Sequence, residues 1–191
     1  MALVEEDVIN RYLSRFERRR LSAEEIRDSL LFVAQRLDLS IDGAHPFPPE
    51  SSWKFTQHDP FNAVYESNRR SAYLMVQRQR RHPYLALFDG ADPNSSTATR
   101  QATTVPTQAL YFFNDPFFHS QAAAFAINLK SLQIDEQRIN NAFQKLYQRE
   151  PTMTEMERTV HFLQEYPGNF DEKWSALIRV LMASNEFLYL D

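Results

Sequence analysis

Apolar positions recur every three or four residues in several stretches of the chain, the spacing that lines one face of an α-helix. In the first, Ile26, Leu30, Val33, Ala34 and Leu37 follow Ser22 and Glu25, a pair spaced for a capping box in which each side chain binds the other's backbone amide. Asp115 before Pro116 is an N-cap followed by proline at the first helical position, and it leads into Phe118, Ala122, Phe125, Ala126 and Leu129. Asp135 is placed to cap a run holding Ile139, Ala142, Phe143, Leu146 and Tyr147. Thr154 with Glu157 reads as a second capping box ahead of Val160 and Leu163, and a last helix starting at Asp171 buries Trp174, Leu177, Ile178, Leu181 and Met182. These four C-terminal stretches predict a bundle.

The middle of the chain breaks the helical period. Residues 39–60 carry Pro46, Pro48, Pro49 and Pro60 and read as a long irregular connection, longer than compact domains usually contain. Residues 71–77 and 84–88 are short apolar runs that read as two strands of a small β-hairpin joined by 78–83. Residues 89–105, rich in Asp, Asn, Ser and Thr, form a second irregular stretch before Pro106 helps start the next helix. The pattern therefore predicts a mainly α fold, a multi-helix bundle with a small β-hairpin and a long irregular polar loop. N-terminal helices occupy 1–38, irregular and short extended segments 39–105, and the helical bundle 106–191.

Composition narrows the chemistry. The chain has 191 residues with 43% hydrophobic and 24% charged positions, ordinary values for a folded soluble domain. Only three glycines are present, which argues against glycine-rich phosphate loops and tight two-residue hairpins. There are no cysteines, so disulfides, thiolate ligands, a cysteine nucleophile and covalent haem attachment are excluded. A net charge of -4 argues against indiscriminate nucleic-acid binding, which needs a basic surface to neutralise phosphates. No apolar run is long enough to span a bilayer, and the first residues lack the pattern of a secretory signal.

Candidate chemistry concentrates in the polar loop. Asp89, Asp92 and Asn94 could offer oxygen ligands to a hard cation, but their spacing departs from the calcium-loop pattern, and turn capping through their own backbone amides is the favoured reading. Arginine outnumbers lysine 17 to 4 and clusters at Arg18 to Arg20, Arg69, Arg70, Arg78, Arg80 and Arg81. Guanidinium forks suit fixed bidentate pairing, so Arg69, Arg70 or Arg100 is expected to form an ion pair with Asp89 or Asp92. An anionic-ligand groove is the other reading of the same cluster. Thr103 and Thr104 complete the candidate binding set with Arg69, Arg70, Asp89, Asp92, Asn94 and Arg100. The five histidines show no metal-binding spacing and no serine lies in a nucleophile elbow, so neither a metal site, a cofactor nor a catalytic residue is assigned. The aromatic cluster Tyr111, Phe112, Phe113, Phe117 and Phe118 is expected to pack in the core around a helix corner.

The run from Arg69 to Ala126, RRSAYLMVQRQRRHPYLALFDGADPNSSTATRQATTVPTQALYFFNDPFFHSQAAAFA, resembles the signature of the planctomycete PSD domain, a C-terminal domain of unknown function. Asn10-Arg11, Arg18 to Leu21 and Glu24 to Leu30 are similar to that family's upstream arginine-rich helix, and Ser184 to Tyr189 resembles its closing motif. The resemblance implies a single domain at the end of a larger extracytoplasmic polypeptide, with upstream domains of the same chain as partners and often a cytochrome c-like domain at its start. Where many members have a cysteine, this chain has Ser96 or Thr97.

Two functional expectations follow. One is a non-catalytic binding or assembly domain, taking a protein or a polysaccharide. The other is part of an enzyme active site for an anionic or sulfated polysaccharide, completed by an upstream domain and using the polar loop. As a fragment, the chain is also expected to self-associate through apolar surface around Leu13, Phe16 or the 39–60 connection.

Overall fold

The computed structural model of the chain describes residues 10–12, 16–41, 43, 49, 51, 58 and 61–190. Its elements in chain order begin with strand β1 (Arg19–Arg20), helix α1 (Ala23–Val33) and a single 3-10 turn at Ser71–Tyr73. Helices α2 (Pro83–Leu87), α3 (Pro106–Asn114) and α4 (Pro116–Asn128) follow, with a second 3-10 turn at Leu129–Ser131. Helices α5 (Asp135–Tyr147), α6 (Met153–Glu165), α7 (Phe170–Met182) and α8 (Asn185–Leu188) lead to strand β2 (Tyr189–Leu190). The fold is mainly α. No helix among the described residues is long and apolar enough to cross a membrane.

Helix α4 carries apolar side chains on several sides, so most of it needs cover, while Ser120 and Ile127 stay exposed. It lies against α7 along most of its length and also packs on α1 and α3, with Phe118, Ala122 and Phe125 fully buried. Trp174, Ile178 and Met182 of α7, Ile139 of α5, and Ile26 and Leu30 of α1 close the same core. One continuous cluster of buried side chains therefore runs from Ala23 to Leu188, joining the N-terminal helix to the C-terminal bundle. Most of the predicted aromatic cluster is inside it, where the rings of Tyr84, Phe88, Tyr111, Phe112 and Phe118 meet mostly edge to face or tilted. Phe113 differs, being 73% exposed.

Caps start the helices largely as the sequence spacing suggests. Ser22 and Glu25 form the expected capping box on α1, and the Asp115 carboxylate accepts from the amides of Phe117 and Phe118 on α4. The later caps sit one or two residues upstream of the expected ones. Thr152 with Glu155, rather than Thr154 with Glu157, forms the capping box of α6, because Thr152 is the residue in extended backbone before the helix. Asn169 with Glu172 caps α7, which places Asp171 inside the first turn, and Asp135 is the first residue of α5 behind Ile134.

The expected hairpin of residues 71–77 and 84–88 does not form. Ser71–Tyr73 is a 3-10 turn and Pro83–Leu87 is α2, a helix with proline in its first turn, whose apolar run of five carries no helix or strand period of its own. The two-stranded antiparallel pairing is instead β1 with β2, in the register Arg19↔Leu190 and Arg20↔Tyr189. Leu13 and most of 39–60, including Pro46, Pro48 and Pro60, lie outside the described residues; Phe16 is 61% exposed.

An irregular backbone has carbonyls that no ladder satisfies, and here arginine supplies the donors. Buried Arg27 donates to the carbonyls of Ser67 and Arg69 and to Ser71 Oγ, while Asp28 accepts from the Ser71 amide at 2.7 Å. Arg80 donates to the Phe61 carbonyl and Arg81 to that of Gly90. These forks pin the irregular segment to α1 and to itself.

Candidate functional site

The polar loop is held by one carboxylate. Asp89 follows α2 with φ +60°, and its oxygens accept from the Thr103 amide and the Thr103 hydroxyl, both at 2.8 Å. The amide of Gly90 closes the end of α2 by donating to the Leu85 carbonyl at 2.6 Å, so close that an added Cβ would lie 2.7 Å from the same oxygen. Arg20 of β1 donates to the Thr103 carbonyl and, at 3.0 Å, to Gln108 Oε1, with its guanidinium over the Phe88 ring. Gln108 is buried on α3 and returns a hydrogen bond from Nε2 to the Leu87 carbonyl at 2.9 Å. Asp89, Thr103, Arg20 and Gln108 thus fasten both ends of the loop to β1, α2 and α3.

Among the candidate residues two pairs meet, Asp89 with Thr103 and Asp92 with Asn94, and the two pairs share no bond. Asp92 Oδ1 accepts from the Asn94 amide at 2.9 Å, the expected turn cap, and Asn94 Nδ2 donates to the Arg78 carbonyl at 3.0 Å. The expected ion pairs to Asp89 or Asp92 are replaced. Arg100 pairs with Glu24 of α1 at 2.6 Å, and Arg69 donates to the carbonyls of Ser40 and Gly43 with its guanidinium over the Tyr73 ring. Arg70 is exposed beside α1. The difference lies in what each arginine sits beside: Arg100 reaches Glu24 of α1 and Arg69 the carbonyls of Ser40 and Gly43, while Asp89 faces Thr103. Among the described residues, no three His, Asp or Glu side chains converge to hold a metal ion.

Beside the Arg20 and Gln108 network lies a cleft of about 580 Å³, to which Thr104 also contributes. Phe112 and Phe113 of α3 form one wall, Phe162 of α6 and Tyr166 at its C-cap another, and the floor is the face of α7 carrying Ala176, Arg179 and Val180, continued by Ala183 at its C-cap. That floor follows from helical spacing, since positions i, i+3, i+4 and i+7 share one face. Its small side chains leave the volume open. Val180 is 62% exposed at the mouth, and Leu188 and Tyr189 close the far side beside Arg20.

The polar groups in the wall are cationic or neutral. Arg20, Arg179 and His119 line the cleft, and no Asp or Glu does. Arg179 Nη1 sits 3.4 Å from His119 Nδ1, and since a guanidinium only donates, the bond is made when Nδ1 is the acceptor nitrogen of the ring. Nε2 is covered and has no partner among the described residues.

Arg20 belongs to an arginine cluster and Thr104 to the polar loop, both visible in the sequence, whereas Gln108, His119 and Arg179 carry no local signal of a site. Their convergence depends on segments from residue 20 to residue 189, and no local spacing encodes it. A family model described as PSD1, protein of unknown function (DUF1553), matches residues 1–163. That span covers the Arg20, Asp89, Thr103 and Gln108 network, while α7, α8 and β2 complete the cleft beyond it. No curated protein and no solved structure matches the chain.

Proposed function

This chain belongs to the PSD1 family of proteins of unknown function (DUF1553), and from its geometry we propose that it is a non-catalytic binding domain of a larger extracytoplasmic protein. The observation that carries this reading is the apolar cleft of about 580 Å³, which falls in the size range of ligand sites and is walled by helices of one packed core. The polar loop supports the same reading. Both oxygens of Asp89 are engaged by Thr103, so this carboxylate positions backbone. The extracytoplasmic setting and the upstream domains as neighbours rest on the likeness of residues 69–126 to the PSD signature.

Binding is tested with the neutral apolar dye N-phenyl-1-naphthylamine, titrated against residues 1–191. Saturable binding at one site is expected, and Ala109→Trp, placed on the exposed side of α3 where it fills the cleft, is expected to abolish it with the melting transition unchanged. A wild-type chain that shows no saturable binding, or a folded A109W variant that binds as well as the wild type, overturns the reading.

A further inference from the structure

Resting on that reading, we propose the class of ligand: a small amphipathic anion, with an aromatic or acyl body held by the cleft and one carboxylate or sulfonate paired with Arg179. Charge complementarity supports it. The chain carries 25 acidic and 21 basic residues, yet the cleft wall holds two arginines and a histidine without a single carboxylate. An acidic protein that leaves a cationic, apolar recess has built a place where an anion gains both pairing and desolvation.

The two arginines are not equivalent. Arg20 already spends Nη1 on the Thr103 carbonyl and Gln108. By contrast Arg19, Arg100, Arg138 and Arg149 each have a carboxylate within ion-pair distance, whereas Arg179 has none among the described residues. Its hydrogen-bonding neighbour is the acceptor nitrogen of His119, which fixes one edge of the fork and leaves the remaining donors for a ligand.

The surroundings of Arg179 define the rest of the ligand. Ala176 of α7 and Ala183 at its C-cap flank it at i−3 and i+4, so an apolar body can lie flat along the helix beside the guanidinium. Phe162 of α6 and Tyr166 at its C-cap, with ring centroids at 5.2 Å, offer one aromatic face, and Phe112 and Phe113 offer another. A ligand with only an anion would forgo these walls; one with only an apolar body would leave Arg179 desolvated without a partner.

The test is a matched pair of dyes. N-phenyl-1-naphthylamine and 8-anilino-1-naphthalenesulfonate share one ring system and differ by the sulfonate. The sulfonate is expected to bind roughly tenfold or more tightly than the neutral dye, the gain typical of a charge-assisted hydrogen bond. Arg179→Met should bring its affinity down to that of the neutral dye, Arg179→Lys should keep most of the gain, and Arg36→Met, on an exposed arginine that bonds Ser120 outside the cleft lining, should change nothing. The neutral dye should bind all four chains alike. Equal affinity of the wild type for both dyes, or an equal effect of R179M and R36M, overturns the anion assignment while leaving the cleft as a binding site. Failure of both dyes to saturate overturns the cleft itself, so the two failures are distinct.

Discussion

Gln148 ends α5 with φ +59°, a left-handed conformation that costs a side-chain-bearing residue about 1 kcal/mol or more relative to glycine. With three glycines in the chain, such positions fall to other residues, and Gln35 and Asp89 adopt the same conformation. Gln148 is exposed and its side chain makes only a 3.4 Å contact to the Lys145 carbonyl, so nothing compensates the strain. Gln148→Gly is therefore expected to raise stability by about 0.5–1 kcal/mol, read as a higher urea midpoint with an unchanged slope. Asp89 is the contrasting case, since its carboxylate recovers the cost through Thr103. At this scale the sequence was partly legible. Asp89 and Thr103 stood out as polar loop residues, and Asp92 and Asn94 as turn formers, but the arginine clusters misled, because a fork serves a backbone carbonyl as well as a carboxylate. Arg69, Arg80 and Arg81 donate to carbonyls, and which option wins depends on the path of a backbone that has no periodic pattern to read.

Between elements, Arg149 joins three helices. It follows α5 and pairs with Glu155 at the start of α6 at 2.7 Å and with Glu186 of α8 at 2.6 Å. The hydrogen bond from Arg149, helped by the Thr152 amide and hydroxyl of the capping box, holds the Glu155 carboxyl down to about 2 from its ordinary 4.5. A carboxyl depressed in the folded state stabilises the fold fully above its unfolded value and loses that contribution as pH falls toward the folded one. Stability should thus decline between about pH 5 and pH 2, and less steeply in 0.5 M salt, because the pair is about one-third exposed. Glu155→Gln should lower the melting temperature near pH 6, and the difference from the wild type should narrow steadily as pH falls toward 2 and vanish below it; a constant offset across that range would contradict the assignment. Helix existence was legible from apolar spacing, and most caps were found within two residues. Helix α2 was not legible as a helix, because Tyr84-Leu85-Ala86-Leu87-Phe88 is apolar at every position and Pro83 alone marked its first turn.

Over the whole molecule, the pairing of β1 with β2 brings Arg20 and Tyr189 together at one rim of the cleft, and the Arg18 guanidinium lies over the Tyr189 ring. Deleting residues 189–191 should lower the melting temperature and weaken binding of the anilinonaphthalene dyes together, because β1 loses its partner and the rim loses Tyr189. A truncated chain that melts lower but binds the dyes unchanged would separate the pairing from the cleft. Neither feature could be read from local spacing, since two-residue strands carry no alternation and the cleft lining is drawn from five helices. The same pairing has a mechanical meaning. Arg19 faces Leu190 and Arg20 faces Tyr189, so tension applied before residue 19 and after residue 190 loads the outer pair first and peels the ladder open one step at a time, as a zip rather than in shear. The first part of the molecule to yield would then be the rim beside Arg20, so that a pull along the polypeptide would open this side of the cleft before the helices of the core gave way.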